Sequence, residues 1–250
     1  MTSSGRLGTP EPVSAEAPAL GSSVMMNQDW RDLTFLHWSV DPILVATFMP
    51  PGVRPDTFEG RSYVGLIPFR MVDAGFRRGP GVAWAGTFLE TNVRLYSVDS
   101  AGRRGIVFLS LDTDRWIVVA GARLSFGLPY RWSRMRHSAT SDGVHCYESR
   151  LRWPQARATS RITIRAGAPR EATALDGFLT SRWGLHVRHL GRTRYVPNAH
   201  PPWPLRDADV IDLDLDQVRS VGLGNLASRT PDHVAFSEGV RTEFGLPQSI

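Results

Sequence analysis

The chain has 250 residues, of which 42% are apolar and 21% are charged, as in an ordinary globular protein. No run of 18 apolar residues occurs, and no basic region leads into an apolar stretch. The sequence therefore predicts neither a membrane-spanning helix nor a secretory signal. The single cysteine, Cys146, leaves no internal disulfide and no cysteine-based metal site, and we expect a half-buried strand thiol. Together these features predict a cytoplasmic protein without a membrane partner.

The formal net charge is +5, carried by 29 arginines and no lysine. The arginines are scattered and often alternate with apolar residues, which is typical of the solvent face of strands. A nucleic-acid-binding protein would more often gather them with exposed aromatic residues on one face, so we expect no nucleic-acid partner. The absence of lysine has a firm chemical consequence, because no lysine amine can form a Schiff base.

Residues 1–27 are rich in Ser, Gly, Ala and Pro and lack a hydrophobic period, which predicts a disordered N-terminal tail. Translation starting at Met25 or Met26 would be equally consistent with the folded part. Residues 28–250 contain no internal repeat and no composition shift that marks a boundary. We therefore predict a single domain over residues 28–250.

Short strands outnumber helices along this domain. Asp41 and Pro42 predict the start of a helix that the prolines at 50–51 stop, Asp112 and Asp114 predict the cap of a second helix, and Asp176 that of a third. Pro68 suggests a bend or an edge within a β-rich segment. The predicted strands cover about 61–76, 88–98, 105–111, 133–140, 143–153, 158–166, 185–190, 192–197, 209–213 and 232–237. This pattern predicts a mainly β (α+β) fold, built as a curved antiparallel sheet or barrel with a few short helices.

Several motifs occur in a fixed order along the domain: HW-x-VDP (37–42), MPPGVRPDTFEGRSYVGLIPFRM (49–71), ETNVR (90–94), FLSLDTD (108–114), FGLPYR (126–131), PWPL (202–205) and FSEGV (236–240). Together they resemble the YqjF-like family, domain of unknown function 2071, over residues 28–247. That family is grouped with the acetoacetate decarboxylase-like superfamily. The resemblance implies a curved β-barrel or cone around a small-molecule cavity. The superfamily often assembles, so a homo-oligomer is one alternative for this chain, and the sequence itself does not indicate the oligomeric state.

The resemblance to the decarboxylases is followed most closely between residues 88 and 132. Glu90 resembles their strand glutamate, Leu111-Asp112 their Leu-Asp, and Gly127-Leu128-Pro129-Tyr130-Arg131 their Gly-Phe-Pro-Lys-Lys motif. The two lysines are replaced by Tyr130 and Arg131, and no other lysine can substitute. Imine-dependent decarboxylation of a β-keto acid is therefore not inherited.

The first candidate site is the row Glu90, Asn92, Arg94 and Tyr96, which alternation places on one face of a strand. If that face lines a cavity, Arg94 can bind a carboxylate or carbonyl and Glu90 can exchange protons. If it faces solvent, Glu90 and Arg94 form a weak exposed pair. The resemblance favours the cavity for Glu90.

The second candidate site is the pair Tyr130 and Arg131 after the helix end. Arg131 keeps a cation where the decarboxylases have one and can bind a carboxylate with two hydrogen bonds. Tyr130 can act as a general acid if an arginine lowers its pKa. The alternative is that Tyr130 fills the volume of a lost lysine while Arg131 pairs internally.

His37 and His200 are further candidates for proton transfer or ligand binding, although a histidine beside aromatic residues is more often a packing residue. The histidine spacings favour no metal site, and neither Gly-rich phosphate motif is present, so we expect no metal and no cofactor. We expect a small carboxylate or carbonyl ligand. The chemistry would be non-covalent isomerisation, dehydration or cyclisation, with Glu90 as base and Tyr130 as acid. The alternative is a non-enzymatic ligand-binding module or sensor.

Overall fold

The computed structural model describes residues 8–21, 24–154 and 158–250, which form one curved sheet with four short helices. The strands are β1 (Val24–Val40), β2 (Val53–Pro55), β3 (Ser62–Phe76), β4 (Phe88–Asp99), β5 (Arg104–Thr113), β6 (Tyr130–Ala139), β7 (Val144–Trp153), β8 (Thr159–Pro169), β9 (Gly184–His189), β10 (Arg192–Ala199), β11 (Leu205–Leu215), β12 (His233–Gly245) and β13 (Gln248–Ser249). The helices are α1 (Pro42–Ala46), α2 (Trp116–Phe126), α3 (Ala174–Thr180) and α4 (Asp216–Arg219).

The strand order is β13-β10-β9-β5-β6-β7-β8-β11-β12-β1-β3-β4-β2, with further pairings β10–β12 and β5–β4. The β4–β5 hairpin joins strands that stand far apart in this order, so the pairing returns on itself and the sheet curls around its core. Only β5–β6 and β5–β9 are parallel within the described ranges. The architecture agrees with the predicted curved, mainly antiparallel sheet.

Strand β4 runs through the middle of the molecule and is buried on both faces. One face contributes Val93 and Leu95 to the largest apolar cluster, which is completed by β1, β3, β7, β8 and α4. The opposite face carries Glu90, Asn92, Arg94 and Tyr96 toward two further clusters. The predicted common face of these four side chains is therefore a buried one.

The pairing of β1 with β3 explains how a proline is accommodated inside the sheet. Arg31 pairs with Arg70 and Leu36 with Leu66, so β1 has one extra residue in this interval. Asp32, in the same interval, has a φ of 53°. Pro68 lies where the β1–β3 ladder is interrupted, and its missing N–H is tolerated there. The predicted bend at Pro68 is thus observed as a bulge in the neighbouring strand.

The N-terminal boundary differs from the predicted one. Strand β1 begins at Val24 because residues 24–27 pair with the end of β12. Residues 8–21 of the predicted tail follow the surface: Gly8 N–H donates to the Ser100 carbonyl at 3.0 Å, and Glu11 N–H to the Gly102 carbonyl at 2.9 Å. These bonds give that stretch a defined course. Residues 1–7 and 22–23 of the predicted tail lie outside the described residues.

The observed N-cap residue agrees with the predicted one in helix α1 and differs from it in helices α2 and α3. Asp41 caps α1 by accepting the Ile43 N–H at 2.8 Å. Helix α2 has no side-chain cap, because Asp112 binds Arg131 and Asp114 accepts the Leu89 N–H instead. Helix α3 starts three residues earlier than predicted. Thr173 is its cap, and Asp176 is the third helical residue of a capping box.

Candidate functional site

Glu90 and Tyr130 meet at the wall of an apolar cavity. Glu90 is on β4 and Tyr130 opens β6, which pairs in parallel with β5 at Leu111. The Tyr130 hydroxyl donates to Glu90 Oε2 at 2.8 Å, and both side chains line a cavity of about 350 Å³. The structure therefore brings together the two residues that the sequence predicted to be catalytic.

Burial dominates the electrostatics of this pair. It raises the pKa of Glu90 to about 7, although the hydrogen bonds from Tyr130 and Asn92 oppose the shift. Burial, followed by the neighbouring Glu90 charge, raises the pKa of Tyr130 well above its ordinary value. Glu90 is thus poised to gain and lose a proton near neutral pH. Tyr130 is a neutral hydrogen-bond donor, and the condition attached to its role as a general acid, an arginine that lowers its pKa, is not met.

The rest of the cavity wall is almost entirely apolar. Strand alternation places Met26, Gln28 and Trp30 of β1 on one face, and all three line the cavity. The described wall contains no arginine and no histidine. The remaining wall is supplied mainly by apolar side chains such as Met71, Phe88, Phe108, Leu128, Val187 and Phe244.

Gln28 is a polar wall residue that the sequence analysis missed. It lies within the segment MMNQDW (25–30), which the predicted tail boundary divided. The alternation of Met26, Gln28 and Trp30 was the available signal. Its amide adds a neutral hydrogen-bonding group to a cavity whose other polar side chains are Glu90, Tyr130 and Ser125.

Arg131 lies on the other side of β6 from this cavity. Consecutive strand residues point to opposite faces, so the fold that directs Tyr130 inward directs Arg131 away from it. Arg131 Nε and Nη2 donate to the two oxygens of Asp112 at 2.5 and 3.0 Å, and its Nη1 donates to Ser220 Oγ at 2.8 Å. Arg131 therefore does not line the cavity with Glu90 and Tyr130, and it pairs internally, as in the second of the two alternatives left open for it. Its role in ligand binding stays a prediction.

Arg94 and Tyr96, at the other end of the β4 row, belong to a buried hydrogen-bond network and do not line the cavity. Arg94 Nε donates to the Tyr96 hydroxyl at 3.2 Å, and its Nη2 donates to the Leu179 carbonyl at 3.2 Å. Asn92 lies between the two ends of the row, and its Oδ1 has no hydrogen-bond partner in the described structure. The ligand-binding roles expected for these three residues stay predictions.

His37 extends this network toward the surface. Its Nε2 lies 2.6 Å from the Tyr96 hydroxyl, and its Nδ1 lies 2.9 Å from Nδ1 of His233. His233 Nε2 lies 2.8 Å from Asp176 Oδ1. Burial and the neighbouring His233 hold the pKa of His37 well below its ordinary value, so the ring is neutral. The network forms a continuous chain of hydrogen bonds from Tyr96 to Asp176.

His200 is a packing histidine in this fold. Its ring lies 4.7 Å from Trp183 and 4.9 Å from Trp203, and its Nδ1–H donates to the Pro201 carbonyl at 2.8 Å. Burial lowers the pKa of His200 to about 4. His200 does not line the cavity, and its expected role as a ligand-binding residue stays a prediction.

Ser97, His186 and Asp99 are arranged one after another like a serine–histidine–aspartate triad, but they do not border the cavity. Ser97 Oγ lies 2.8 Å from His186 Nδ1, and His186 Nε2 lies 3.6 Å from Asp99 Oδ2. All three side chains are buried and none lines the cavity. Asp99 accepts the N–H groups of Ala101 and Arg103 and thereby fixes the β4–β5 turn. This cluster therefore has a structural role.

Across residues 8–21, 24–154 and 158–250, no group of three or more His, Cys, Asp or Glu side chains is arranged to hold a metal ion. In those ranges, no helix combines the length and the apolar character needed to cross a bilayer.

Comparisons with known proteins place this geometry in a family. Residues 27–241 match the family model DUF2071, described as "Uncharacterized conserved protein (COG2071)". The chain is 32% identical over 186 residues to "Uncharacterized protein YqjF" of Bacillus subtilis (strain 168), covering 74% of this chain and 76% of that protein.

Solved structures show the same fold at low sequence identity. An acetoacetate decarboxylase-like enzyme from Sphingomonas wittichii RW1 aligns with a TM-score of 0.63 and 11% identity, covering 93% of this chain and 95% of that one. Acetoacetate decarboxylase from Legionella pneumophila aligns with a TM-score of 0.59 and 13% identity over 98% and 93%. The enduracididine biosynthesis enzyme MppR aligns with a TM-score of 0.54 and 12% identity over 90% and 88%. The predicted fold and family are confirmed: this chain belongs to the DUF2071 family and has the acetoacetate decarboxylase-like fold.

Proposed function

We propose that this chain binds a small, mainly apolar carbonyl compound in its cavity and that Glu90 exchanges a proton with it. The observation that carries this proposal is a carboxyl group with a pKa of about 7, held by Tyr130 at 2.8 Å on the wall of an apolar cavity. A general base is most effective when its pKa lies near the working pH. Perturbed carboxyl groups in clefts are typical of functional sites.

The composition of the wall favours a neutral ligand. A ligand carboxylate would need a cation, and the described wall offers none, since Arg94 and Arg131 bind other groups. It would also face repulsion from Glu90 when that group is ionised. We therefore narrow the expected ligand from a carboxylate or carbonyl to a carbonyl compound with apolar substituents.

The residues at the wall can perform an enolisation without a covalent intermediate. Glu90 removes a proton from the carbon next to the carbonyl, so that a C–H bond breaks and an O–H bond forms on the carboxyl group. The electron pair moves to the carbonyl oxygen, where the amide N–H of Gln28 can donate to the developing charge. Tyr130 orients Glu90 through its hydrogen bond. Return of the proton to another carbon gives an isomer. If the substrate has a β-hydroxyl group, the enolate electrons return to form a C=C bond as the C–O bond breaks, and the proton held by Glu90 leaves with the hydroxyl group as water.

A solved structure with this fold supports the ligand class. MppR, at 12% identity, is described in complex with the condensation product of pyruvate and imidazole 4-carboxaldehyde. That ligand derives from two carbonyl compounds, one of which, pyruvate, is also a carboxylate, so it supports the carbonyl part of the proposed ligand class and not its neutrality. The low identity restricts the comparison to the fold, so the support concerns the ability of this architecture to enclose such compounds.

Hydrogen exchange at carbon tests the proposal. Ketones and aldehydes with apolar substituents are incubated with the protein in D₂O, and deuterium at the carbon next to the carbonyl is followed by NMR. We expect Glu90→Gln to lower the exchange rate by about 10² to 10⁴. Glu238→Gln is the matched control, because Glu238 pairs with Arg206 at the surface.

The outcomes separate the proposal from its alternative. A compound that raises the melting temperature but exchanges only at the background rate would favour a non-enzymatic binding module, which the mostly apolar wall also fits. If no carbonyl compound in the panel changes the melting temperature or exchanges faster than background, the proposal is wrong.

A further inference from the structure

We propose that the mouth of the cavity docks on the surface of an anionic lipid bilayer, from which an apolar ligand can enter. The entry of ligand rests on the proposed function, whereas the docking itself does not. Docking would revise the sequence-based expectation of no membrane partner.

Exposed apolar side chains are concentrated where the cavity opens. Phe76, Val82 and Ile117 line the cavity and are themselves exposed, and Trp84, Trp116 and Leu124 lie on the same two segments. Phe76 is 73% exposed, Trp84 64% and Leu124 79%. We call these six residues the mouth patch. Single exposed apolar residues are ordinary, but a contiguous group beside an apolar cavity indicates a binding surface.

Contacts join the two segments into one surface. The Arg115 guanidinium, just before α2, lies 5.3 Å from the centre of the Trp84 ring. Ile117 and Leu124 are seven residues apart and therefore share one face of α2. Because Ile117 lines the cavity, that face of the helix borders the opening.

Helix α2 has the composition of a buried helix but lies at the surface. Its sequence, WIVVAGARLSF, has one charged residue in 11, and of its side chains only that of Val119 is buried. A helix that is apolar on most sides is usually covered by protein or by lipid. Trp84 has an unusual backbone conformation, since its φ of 58° is uncommon for a bulky residue. The chain thus holds a tryptophan outward in a conformation that costs free energy.

The charges around the mouth patch favour an anionic partner. Residues 76–86 and 115–126 together contain four arginines, at 77, 78, 115 and 123, and no aspartate or glutamate, while three carboxylates border them: Asp73 beside Gly81, Asp114 and Glu243. Arg78 pairs with Glu243, and Arg115 with Asp114. Neither Arg77 nor Arg123 has a carboxylate within ion-pair distance in the described part of the chain. Tryptophan flanked by arginine beside an apolar surface is typical of proteins that bind the lipid–water interface.

The same charges argue against a second copy of this chain as the partner. A twofold interface places the same patch on both subunits, so the mouth patch would face itself. The arginines of the two copies would then repel each other. An anionic bilayer instead complements Arg77 and Arg123, which have no paired carboxylate in the described part of the chain, by about 1 kcal/mol for each of them near its surface.

Vesicle sedimentation tests the proposal with the full chain. The probes are vesicles of phosphatidylcholine alone and of phosphatidylcholine mixed with phosphatidylglycerol. We expect binding to the mixed vesicles that weakens when NaCl rises from about 0.05 to about 0.5 M. Leu124→Glu is expected to lower the partition coefficient by about tenfold or more, since it places an anion in the contact. Trp84→Gly, in which glycine accepts the positive φ, is a second variant with the same expected direction.

Ile43→Glu is the matched control, because Ile43 is also 79% exposed and also lies on a helix. Helix α1 follows β1 at the end opposite to the mouth patch. We expect this variant to bind vesicles as the wild type does. Circular dichroism would establish that all three variants are folded.

Two results would overturn the proposal. One is a wild-type protein that does not sediment with the mixed vesicles, and the other is Leu124→Glu and Ile43→Glu having equal effects. A dimer in light scattering that Leu124→Glu dissociates, without vesicle binding, would assign the mouth patch to a second copy. The proposed function is judged separately by deuterium exchange, so vesicle binding without exchange would leave the docking standing and the enzymatic function rejected.

Discussion

The two ends of the polar row on β4 differ in how their hydrogen-bonding groups are used. At the Glu90 end, one carboxyl group faces an apolar cavity with Tyr130 as its partner at 2.8 Å. At the Tyr96 end, the hydroxyl contacts His37 Nε2, Arg94 Nε and the Leu179 carbonyl, all within 3.2 Å. The Tyr96 end is saturated by the protein, while the Glu90 end leaves hydrogen-bonding capacity toward empty volume.

This difference separates stability from function within a single strand face. Buried polar groups that bind each other hold neighbouring elements together, here β4, α3, β1 and β12. A carboxyl group buried at an apolar cavity wall costs stability even with its hydrogen bonds from Tyr130 and Asn92, and such a cost is typical of a group kept for function. The same alternation of residues along β4 therefore produces a stabilising hydrogen-bond network at the Tyr96 end and a cavity wall at the Glu90 end.

The substitution with the largest expected effect on the free energy of unfolding removes a carboxylate, Asp56, that supports the Tyr96 end of the row. Asp56 accepts Arg182 Nη1 and Arg104 Nη1, and Arg182 lies 4.9 Å from the Tyr96 ring. The side chains of Asp56 and Arg182 are 2% and 3% exposed, so Asp56→Ala leaves a buried cation without its carboxylate. We expect a loss of about 3–5 kcal/mol in the free energy of unfolding, measured by urea denaturation. A loss below about 1 kcal/mol would show that this pair is solvated.

A second prediction concerns the pH dependence caused by Glu90. Its pKa is raised to about 7 in the folded protein, against about 4.3 for an unfolded chain. Between these values the unfolded chain ionises while the folded protein keeps its proton, so stability falls as pH rises and the full cost is present above pH 7. We expect the stability advantage of Glu90→Gln over the wild type to be about 3–4 kcal/mol larger at pH 8 than at pH 4. Parallel pH profiles for the two proteins would contradict this assignment.

The smallest expected effect has the opposite sign and comes from Asp176. Arg170, His233 and Thr173 outweigh burial and hold the pKa of Asp176 well below its ordinary value. Its stabilising contribution is present above the unfolded pKa of about 4 and is lost as pH falls below it. Because Arg170 is partly exposed, solvent screens the pair, and we expect only about 1–2 kcal/mol. Urea unfolding of Asp176→Asn should approach that of the wild type on acidification, and a constant difference would refute the idea.

Local sequence patterns predicted much of the fold but less of the site. Alternation placed Glu90, Asn92, Arg94 and Tyr96 on one face, and the motifs shared with the family predicted the curved sheet. The pattern could not tell which end of the row borders a cavity. That depends on Gln28 and Trp30 of β1, about 60 residues earlier in the chain, and on the course of β6.

The errors have a common physical origin in long-range pairing. Asp112 was expected to cap α2, but the parallel β5–β6 pairing places it opposite Arg131. His37 meets His233 across 196 residues, a contact that no local pattern indicates. Tyr130 and Arg131 were treated as one site because they are adjacent in sequence, although adjacency within a strand separates them.

The pairing of β1 with β12 has a consequence for synthesis on the ribosome. Residues 24–37 pair with residues 233–245, so one edge of β1 has no strand partner until nearly the whole chain has emerged. An unpaired strand edge can recruit strands from other chains, and nascent chains with open edges are prone to aggregate. Translation that stalls before residue 233 would release a chain with an adhesive edge. The sheet can therefore close only after residues 233–245 have been synthesised.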